Sequence, residues 1–169
     1  VSAREHGAEL RTYCSVTGFV RGADGSVQGV TLRDEATGRE ERHLARAVVL
    51  ACGPWSPKVA ALAGVEVKIR PGKGVHLTLD RRISNYGVIC KTVDGRDVFV
   101  MPHEQTSIVG TTDDDFYGDP DDLRVTEDEV AYLWEAATRT VPSVVHARIL
   151  RAWAGVRPTL YEYGKLEDA

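Results

Sequence analysis

The chain has 169 residues, of which 43% are hydrophobic and 27% are charged, and its formal net charge at pH 7 is −4. This composition is typical of a globular protein and is too apolar for a disordered chain. The mildly acidic balance gives no electrostatic attraction for phosphate backbones, so we expect no nucleic-acid partner. The longest unbroken apolar run, Ala47–Cys52, is far shorter than the roughly 20 residues that cross a bilayer, and the sequence predicts no transmembrane helix.

The three cysteines, Cys14, Cys52 and Cys90, are an odd number without the spacing of a metal site. This pattern favours reduced thiols in a cytosolic setting. The chain begins at Val1 without an initiator Met, and no apolar core of a signal peptide follows. We therefore expect a chain in a cytosolic setting that is a piece of a longer protein.

The sequence of the first third of the chain predicts a helical turn followed by short strands. Ser2–His6 followed by Gly7 is typical of the last turn of a helix, because glycine adopts the left-handed conformation after the C-cap. The alternation in Ala8–Val16 predicts a strand. Turn residues then separate three segments that predict a small antiparallel meander: Phe19–Val20, Val27–Arg33 and Arg39–Leu44.

The pattern changes at Ala45–Gly53, which is apolar on both faces and predicts a central strand covered on both sides. Ser56 and Pro57 then provide an N-cap and a first helical residue for a short helix that ends near Gly64. Two interpretations of the junction Gly53-Pro54-Trp55 stay open. It is either a place where a planar or phosphorylated ligand approaches the end of the strand, or a plain tight turn.

After Gly64 the composition predicts an antiparallel sheet. Its strands are Val65–Arg70, Val75–Leu79, Tyr86–Lys91, Val98–Met101 and Ser107–Thr111, with turns at Pro71-Gly72 and Asp94-Gly95. Thr126 and Glu129 form a capping box for a helix with one apolar face, which ends before Pro142. A last strand is predicted over Arg148–Ala154.

Several motifs in this second part carry candidate chemistry. Asp113–Asp122 is acidic, but Tyr117 and Arg124 stand where a calcium loop of the EF-hand type needs ligands, so we expect a solvated loop. Glycines flank Lys73 without the spacing of a nucleotide-binding loop, and a turn is the simpler interpretation. His76, on an alternating strand, faces either a site or a satisfied core position. None of these motifs alone assigns a function.

Arg157 lies between apolar residues and Pro158, immediately after a strand that ends in small residues. A buried guanidinium must pair with an anion, and its fork suits a carboxylate or a phosphate bidentately. The sequence leaves open whether that anion is an internal carboxylate or a substrate. The sequence contains no GxSxG motif and no Cys/His spacing that would support nucleophilic catalysis.

In combination, six stretches resemble the flavin-dependent glycerol-3-phosphate dehydrogenases, within the D-amino-acid-oxidase-like flavoproteins. They are Gly7-Ala8-Glu9, Ala47–Trp55, Lys73–Leu77, Phe99–Pro102, Ser107–Asp113 and Ala154–Pro158. Six motifs in the family's order with compatible spacing are specific, although no single one would be. The resemblance implies an α+β fold. Part of an FAD-binding Rossmann-like domain, with the meander and the central strand, would precede an antiparallel-sheet substrate (cap) domain with a helix.

The resemblance also implies an activity, the oxidation of sn-glycerol 3-phosphate to dihydroxyacetone phosphate, with electrons passed through FAD to a quinone. It implies cofactor contacts at Val16, Gly53, Pro54, Trp55 and Gly74, and substrate contacts at Lys73 and Arg157. Arg157 would be a catalytic residue that binds the substrate phosphate, and His76 would be a catalytic residue that handles a proton.

The resemblance implies three domain segments: a partial FAD-binding domain over residues 1–64, a substrate-binding domain over 65–155, and the start of a return to the FAD domain over 156–169. The glycine-rich turn that seats the FAD pyrophosphate in this family is absent from these residues. We therefore expect that the chain is a middle section of a longer protein and that, alone, it neither binds FAD tightly nor catalyses the reaction. The family also implies a cytoplasmic location with peripheral contact to the inner membrane face.

Two other functions stay open. The same fold group contains amine and amino-acid oxidases, in which an arginine in a similar Gly-x-Arg-Pro motif binds a carboxylate instead of a phosphate. A non-catalytic interaction domain is the third interpretation. The stretches Gly110–Asp113 and Tyr161-Glu162-Tyr163 favour the phosphate-binding branch by resemblance.

Overall fold

The computed structural model describes residues 2–161, which fall into two compact units divided between Val67 and Lys68. Glu162 and Tyr163, which the resemblance singles out, lie outside this range. The helices are α1 (Ser2–Glu5), α2 (Ser56–Leu62) and α3 (Glu127–Thr140), and 3-10 turns cover Gly53–Trp55 and Pro142–His146. The strands are β1 (Cys14–Arg21), β2 (Val27–Asp34), β3 (Glu40–Leu44), β4 (Ile69–Leu79), β5 (Val88–Lys91), β6 (Asp97–His103), β7 (Thr106–Gly110), β8 (Asp114–Asp115) and β9 (Ile149–Leu160). This mixture of helices and antiparallel strands confirms the α+β class, and none of the described helices has both the length and the apolar character to cross a membrane.

In the first unit, β1, β2 and β3 form the predicted antiparallel meander. A bulge follows Val16 in β1. Asp24 and Asp34 shape the two turns, because each carboxylate accepts the backbone N–H two residues further along the chain. Gly25 completes the first turn with a φ of +81°, a conformation that glycine adopts without strain. The meander is thus set by local turn chemistry.

Three local predictions in this unit are wrong. Residues 46–52 pair with no strand of the described chain, and Val49 is 87% exposed. A strand needs a neighbour that satisfies its backbone groups, and an apolar pattern alone does not supply one. Residues 8–13 are likewise not a strand, and α2 begins at Ser56 directly after a 3-10 turn, so Ser56 is not its N-cap.

The second unit is built on one antiparallel sheet whose central strand is β4. β9 pairs with one edge of β4 along its whole length, from Ile69↔Leu160 to Leu79↔Ile149, while β7 and β8 pair with the other edge. β6 and β5 extend the sheet beyond β7. β9 runs through residue 156 without a break, so the predicted change of domain after residue 155 does not coincide with the end of an element.

The turn predicted at Pro71-Gly72 is wrong, because both residues lie inside β4. Pro71 is opposite Pro158 of β9, and its carbonyl accepts the N–H of Phe116 at the other edge of the strand. The N–H and C=O positions of one strand residue face the same edge, so the nitrogen of Pro71 also faces away from β9. Pro158, directly opposite, likewise faces away from β4, and neither proline removes a hydrogen bond between the two strands. The ladder therefore tolerates both prolines.

Residues of β4 alternate between the two faces of the sheet. Val75, Leu77 and Leu79 are fully buried on one face, in a core that α3 covers. α3 begins at the predicted capping box, with Thr126 as N-cap, and its Leu133 is fully buried in the same core. The core of the unit lies on this side of the sheet, and the even-numbered residues of β4 face the other way.

Replacement of Leu133 by Ala removes a side chain that is fully buried between α3 and the sheet. The lost contacts and the cavity left behind should lower the free energy of unfolding by about 2–5 kcal/mol. Glu135→Ala, on the exposed side of the same helix, is the control and should change it by no more than about 0.5 kcal/mol. Urea denaturation of both variants measures the difference, and equal values would show that α3 does not cover the core.

Candidate functional site

On the face of the sheet opposite α3, the middle of β4 carries no side chains of its own beyond hydrogen. Gly72 and Gly74 lie there, and Gly74 is paired with Gly155 of β9. A cleft of about 160 Å³ lies over this glycine pair, with walls formed by His76, Trp153, Val156 and Arg157. A larger groove of about 430 Å³ runs between α3 and β9, but its lining is apolar except for Thr126 and Glu127 in the first turn of the helix. The smaller cleft therefore holds the candidate chemistry.

His76 forms one wall of the cleft and is held by two aromatic rings. It stacks on Trp153, with 4.3 Å between ring centroids and 10° between ring planes, and the Phe99 centroid is 5.9 Å away. The imidazole also lies against Gly110, where a Cβ atom would come within 2.4 Å of the His76 Cδ2 atom. Position 110 therefore needs glycine, and β7 and β9 together fix the orientation of the imidazole.

The surroundings of His76 favour its neutral form. Its Nδ1 atom is buried and has no hydrogen-bond partner within residues 2–161. Burial lowers the pKa of His76 below its ordinary value of 6.5, and the nearby positive charge of Arg157 lowers this pKa further. A neutral imidazole can accept a proton, and Nε2 is the ring nitrogen left to do so.

Arg157 forms the other polar wall, and 42% of its side chain is exposed. Its Nη1 atom donates to Asp113 Oδ1 at 2.8 Å and to the Thr112 carbonyl at 3.3 Å, and Nη2 donates to Thr111 Oγ1 at 3.1 Å. A guanidinium has five N–H donors, so these three bonds leave the Nε–H and one Nη2–H without a partner among residues 2–161. Arg157 thus has an internal carboxylate partner and also keeps a fork that suits an external anion.

The start of the acidic run is exposed to solvent, as the sequence predicts, but it is not a loop. Asp114–Asp115 forms β8, which pairs with β4. Three of the carboxylates contact arginines: Asp113 with Arg157, Asp114 with Arg96 at 3.0 Å, and Asp115 with Arg70 at 2.7 Å. Within residues 2–161, no group of three or more His, Cys, Asp or Glu side chains is arranged to hold a metal ion.

Lys73 is not part of this cleft, contrary to the expectation from the resemblance. It points to the face of β4 that α3 covers, where it is only 8% exposed. Its ammonium pairs with Glu129 at 2.7 Å and donates to the Arg124 carbonyl, because a buried charge needs such partners. Lys73 therefore links β4 to the start of α3 and points away from the cleft on the other face.

The four remaining predicted residues lie in the first unit. Val16 is on β1, opposite Leu32 and next to the bulge. Gly53, Pro54 and Trp55 form one 3-10 turn before α2. Gly53 has a φ of +55°, and no atom lies within 4 Å of a Cβ placed on it. The turn needs glycine for its backbone conformation and leaves open space beside it.

Of the predicted site residues, the structure brings Gly74, His76 and Arg157 together around one cleft. Sequence analysis missed Trp153 and Asp113. The spacing could have identified Trp153, because positions 153, 155 and 157 of a continuous strand share one face. No local pattern shows that Asp113 reaches Arg157, since that contact depends on the pairing of β8 and β9 with the two edges of β4.

Known proteins share sequence with this chain over nearly its whole length. The model of the FAD dependent oxidoreductase (DAO) family matches residues 2–166. A subunit of the anaerobic glycerol-3-phosphate dehydrogenase of Haemophilus influenzae is 36% identical over 160 residues, which cover 94% of this chain and 28% of that protein. The alpha-glycerophosphate oxidase of Streptococcus pneumoniae is 34% identical over 170 residues, covering 94% of this chain and 28% of that protein. The chain thus spans less than a third of the length of these curated relatives.

Solved structures share its fold. The glycerol-3-phosphate dehydrogenase from Bacillus halodurans, solved with FAD, matches with a TM-score of 0.83 and 31% identity, over 95% of this chain and 34% of that chain. The glycine oxidase from Geobacillus kaustophilus matches with a TM-score of 0.65 and 23% identity, over 94% of this chain and 40% of that chain. The second likeness is one of fold alone.

We predict that the pKa of His76 lies below 6.5 and depends on Trp153. Trp153→Ala removes the stacked ring and lets water reach the imidazole, so this pKa should rise toward 6.5 because the charged form is better solvated. Trp153→Phe keeps an aromatic ring and should leave the pKa closer to that of the wild type. NMR titration of His76 measures all three proteins, and a wild-type pKa at or above 6.5 would contradict the expectation.

Gly74→Ala and Gly155→Ala should have different effects although the two residues are paired. A Cβ on Gly74 would lie 2.6 Å from Arg157 Nη2 and 2.7 Å from Thr111 Oγ1, so this variant must displace the guanidinium and should lose about 1–3 kcal/mol of unfolding free energy. A Cβ on Gly155 meets no atom within 4 Å, and that variant should stay within about 0.5 kcal/mol of the wild type. Urea denaturation compares them; similar losses would mean that Arg157 does not lie over Gly74.

Proposed function

The chain belongs to the FAD-dependent oxidoreductase family, and on that premise we propose that it contributes the substrate site of a flavin enzyme that oxidises sn-glycerol 3-phosphate to dihydroxyacetone phosphate. The relatives that are named for glycerol 3-phosphate support this choice of substrate. The observation that carries the proposal is the fork of Arg157, which lines the same small cleft as the neutral imidazole of His76. An anion-binding group and a proton acceptor at one cleft suit a phosphorylated alcohol.

The residues fit a flavin in two places. In the second unit, Gly155 leaves open space in the cleft on the face of the sheet opposite α3, next to Gly74 and the guanidinium that lies over it. In the first unit, Gly53 leaves open space beside its turn. We propose that FAD contacts Val16, Gly53, Pro54, Trp55 and Gly74, with the first unit in the FAD domain and the second in the substrate domain. The chemistry that bound FAD supplies is acceptance of a hydride from the substrate.

The chain's own residues hold the substrate and move one proton. Arg157 binds the phosphate through its Nε and Nη2 fork and so orients the rest of the molecule in the cleft. His76 accepts the proton of the alcohol at Nε2 as the alcohol becomes a ketone. Trp153 and Phe99 cover the imidazole and keep it neutral until that step. Lys73 takes no part, because it lies on the other face of β4.

We also propose a quinone as the electron acceptor and a cytoplasmic location with peripheral contact to the inner membrane face. The resemblance to the flavin-dependent dehydrogenases supports both assignments. One relative is an oxidase by name, so the acceptor has a test of its own, in which quinone reduction and oxygen consumption are measured side by side. Oxygen consumption without quinone reduction would contradict the quinone.

The test of the substrate uses the native protein that contains this chain, purified with FAD. Reduction of an artificial electron acceptor is measured with glycerol 3-phosphate, glycerol, glycine and sarcosine in parallel, and we expect reduction with glycerol 3-phosphate alone. Reduction only with glycine or sarcosine would move the protein to the amine oxidases, where Arg157 would bind a carboxylate. Reduction with none of the four would favour a non-catalytic interaction domain.

Arg157→Ala should lower kcat/KM for glycerol 3-phosphate by about 10²–10⁴-fold, because a charge pair with the phosphate worth about 3–5 kcal/mol is lost. Arg151→Ala removes the same charge from an exposed position further along the same face of β9 and should change kcat/KM by no more than about threefold. An unchanged kcat/KM in Arg157→Ala would exclude a phosphate-binding role.

A further inference from the structure

Asp113 lies between two arginines on the face of β4 that carries the cleft. Its Oδ1 atom accepts from Arg157 Nη1 at 2.8 Å, and its Oδ2 atom is 3.8 Å from Arg70 Nη1. Arg70 in turn donates from Nε to Asp115 at 2.7 Å. The four side chains form a row of alternating positive and negative charge, of which the proposed reaction uses only Arg157.

The backbone of β4 is shaped to receive this row. A Cβ on Gly72 would lie 2.6 Å from Asp113 Oδ1, and a Cβ on Gly74 would lie 2.6 Å from Arg157 Nη2. The ion pair therefore lies close against the strand, in space that both glycines leave free. Thr111 accepts from the second terminal nitrogen, Nη2, of the same guanidinium. The terminal nitrogens of Arg157 are thus held at a defined place, whereas the Nε–H is left to the cleft.

The presence of a carboxylate at Asp113 is not explained by the attraction of an anion to Arg157. Two arginines and two aspartates carry no net formal charge, and a carboxylate so close to the fork repels an incoming anion. An anion site built for affinity alone would lack this residue. Asp113 supplies orientation instead: an arginine side chain has many rotamers, and a bond to Nη1 restricts both its rotamer and the plane of its guanidinium.

We propose that Asp113 is a positioning residue, which anchors the Nη1 end of Arg157 so that the Nε and Nη2 edge faces the cleft. This inference rests on the proposed function, in which that edge binds the substrate phosphate. It predicts a split between binding and turnover. Without Asp113 the anion also loses a repulsive neighbour, so its affinity is retained, whereas the reacting carbon is misplaced and kcat falls.

The test compares Asp113→Ala, Asp113→Asn and Asp115→Ala in the native protein that contains this chain, purified with its flavin. Asp113→Ala should lower kcat with glycerol 3-phosphate about 10- to 100-fold, while the dissociation constant of inorganic phosphate, measured by calorimetry, changes by no more than about threefold. Asp113→Asn keeps an oxygen that accepts from Nη1 and should restore kcat to within about fivefold of the wild type.

Asp115→Ala is the matched control. Asp115 is about as exposed as Asp113, at 46% against 50%, and it contacts Arg70 but not Arg157. Its removal changes the charge of the row by the same amount and should leave both kcat and the phosphate dissociation constant within about threefold of the wild type. A loss of kcat in this variant equal to that of Asp113→Ala would assign the effect to charge and contradict positioning.

Two further results would overturn the proposal. One is an unchanged or increased kcat in Asp113→Ala, as expected if Asp113 merely competes with the substrate for Arg157. The other is an equal loss in Asp113→Ala and Asp113→Asn, which would show that the bond to Nη1 is not what matters. Arg157→Ala separates these results from a failure of the proposed function: if this variant binds phosphate as the wild type does, Arg157 is not the anion site.

Discussion

The pleat of β4 determines the chemistry of the second unit. Neighbouring side chains of a strand point to opposite faces, and β4 uses this difference along its length: Leu77 and Leu79 lie in the core, whereas Gly74 and His76 face the cleft. β9 is paired with β4 from end to end, so its residues follow the same division. A slip of one residue would move each set of side chains to the wrong face. The stability of the unit and the position of its site therefore depend on one register.

The two polar walls of the cleft have opposite requirements that the structure meets together. His76 needs a dry environment to stay neutral, and the rings of Trp153 and Phe99 supply it. Arg157 has to stay charged, and it is half exposed and bonded to Asp113. Because the charge of Arg157 also lowers the pKa of His76, an anion bound to Arg157 would raise that pKa. The imidazole thus becomes a stronger base when the site is filled.

Local patterns predict the elements of this chain better than their contacts. The capping box of α3 and the turns of the meander depend only on neighbours in sequence, and the structure confirms them. The prediction of a strand at Ala45–Gly53 is wrong, because a strand needs a neighbouring strand to pair with and a local apolar pattern does not supply one. Lys73 is expected in a turn beside the site, but β4 continues through Pro71-Gly72. The alternation of the strand therefore places Lys73 on the face that α3 covers. The residue pattern singles out His76 and Arg157 as candidates and the family resemblance gives them roles, whereas their meeting depends on a ladder between residues distant in sequence.

The space in the cleft is made by missing side chains. Gly72, Gly74 and Gly110 leave the space that Asp113, Arg157 and His76 occupy, and Gly155 leaves open space in the cleft itself. A pocket lined by large residues can be enlarged by trimming one of them, but glycine has nothing to trim. Directed evolution can therefore narrow the floor of this cleft and cannot deepen it. A bulkier ligand would have to be admitted through the walls, at the cost of the ring of Trp153 that stacks on His76.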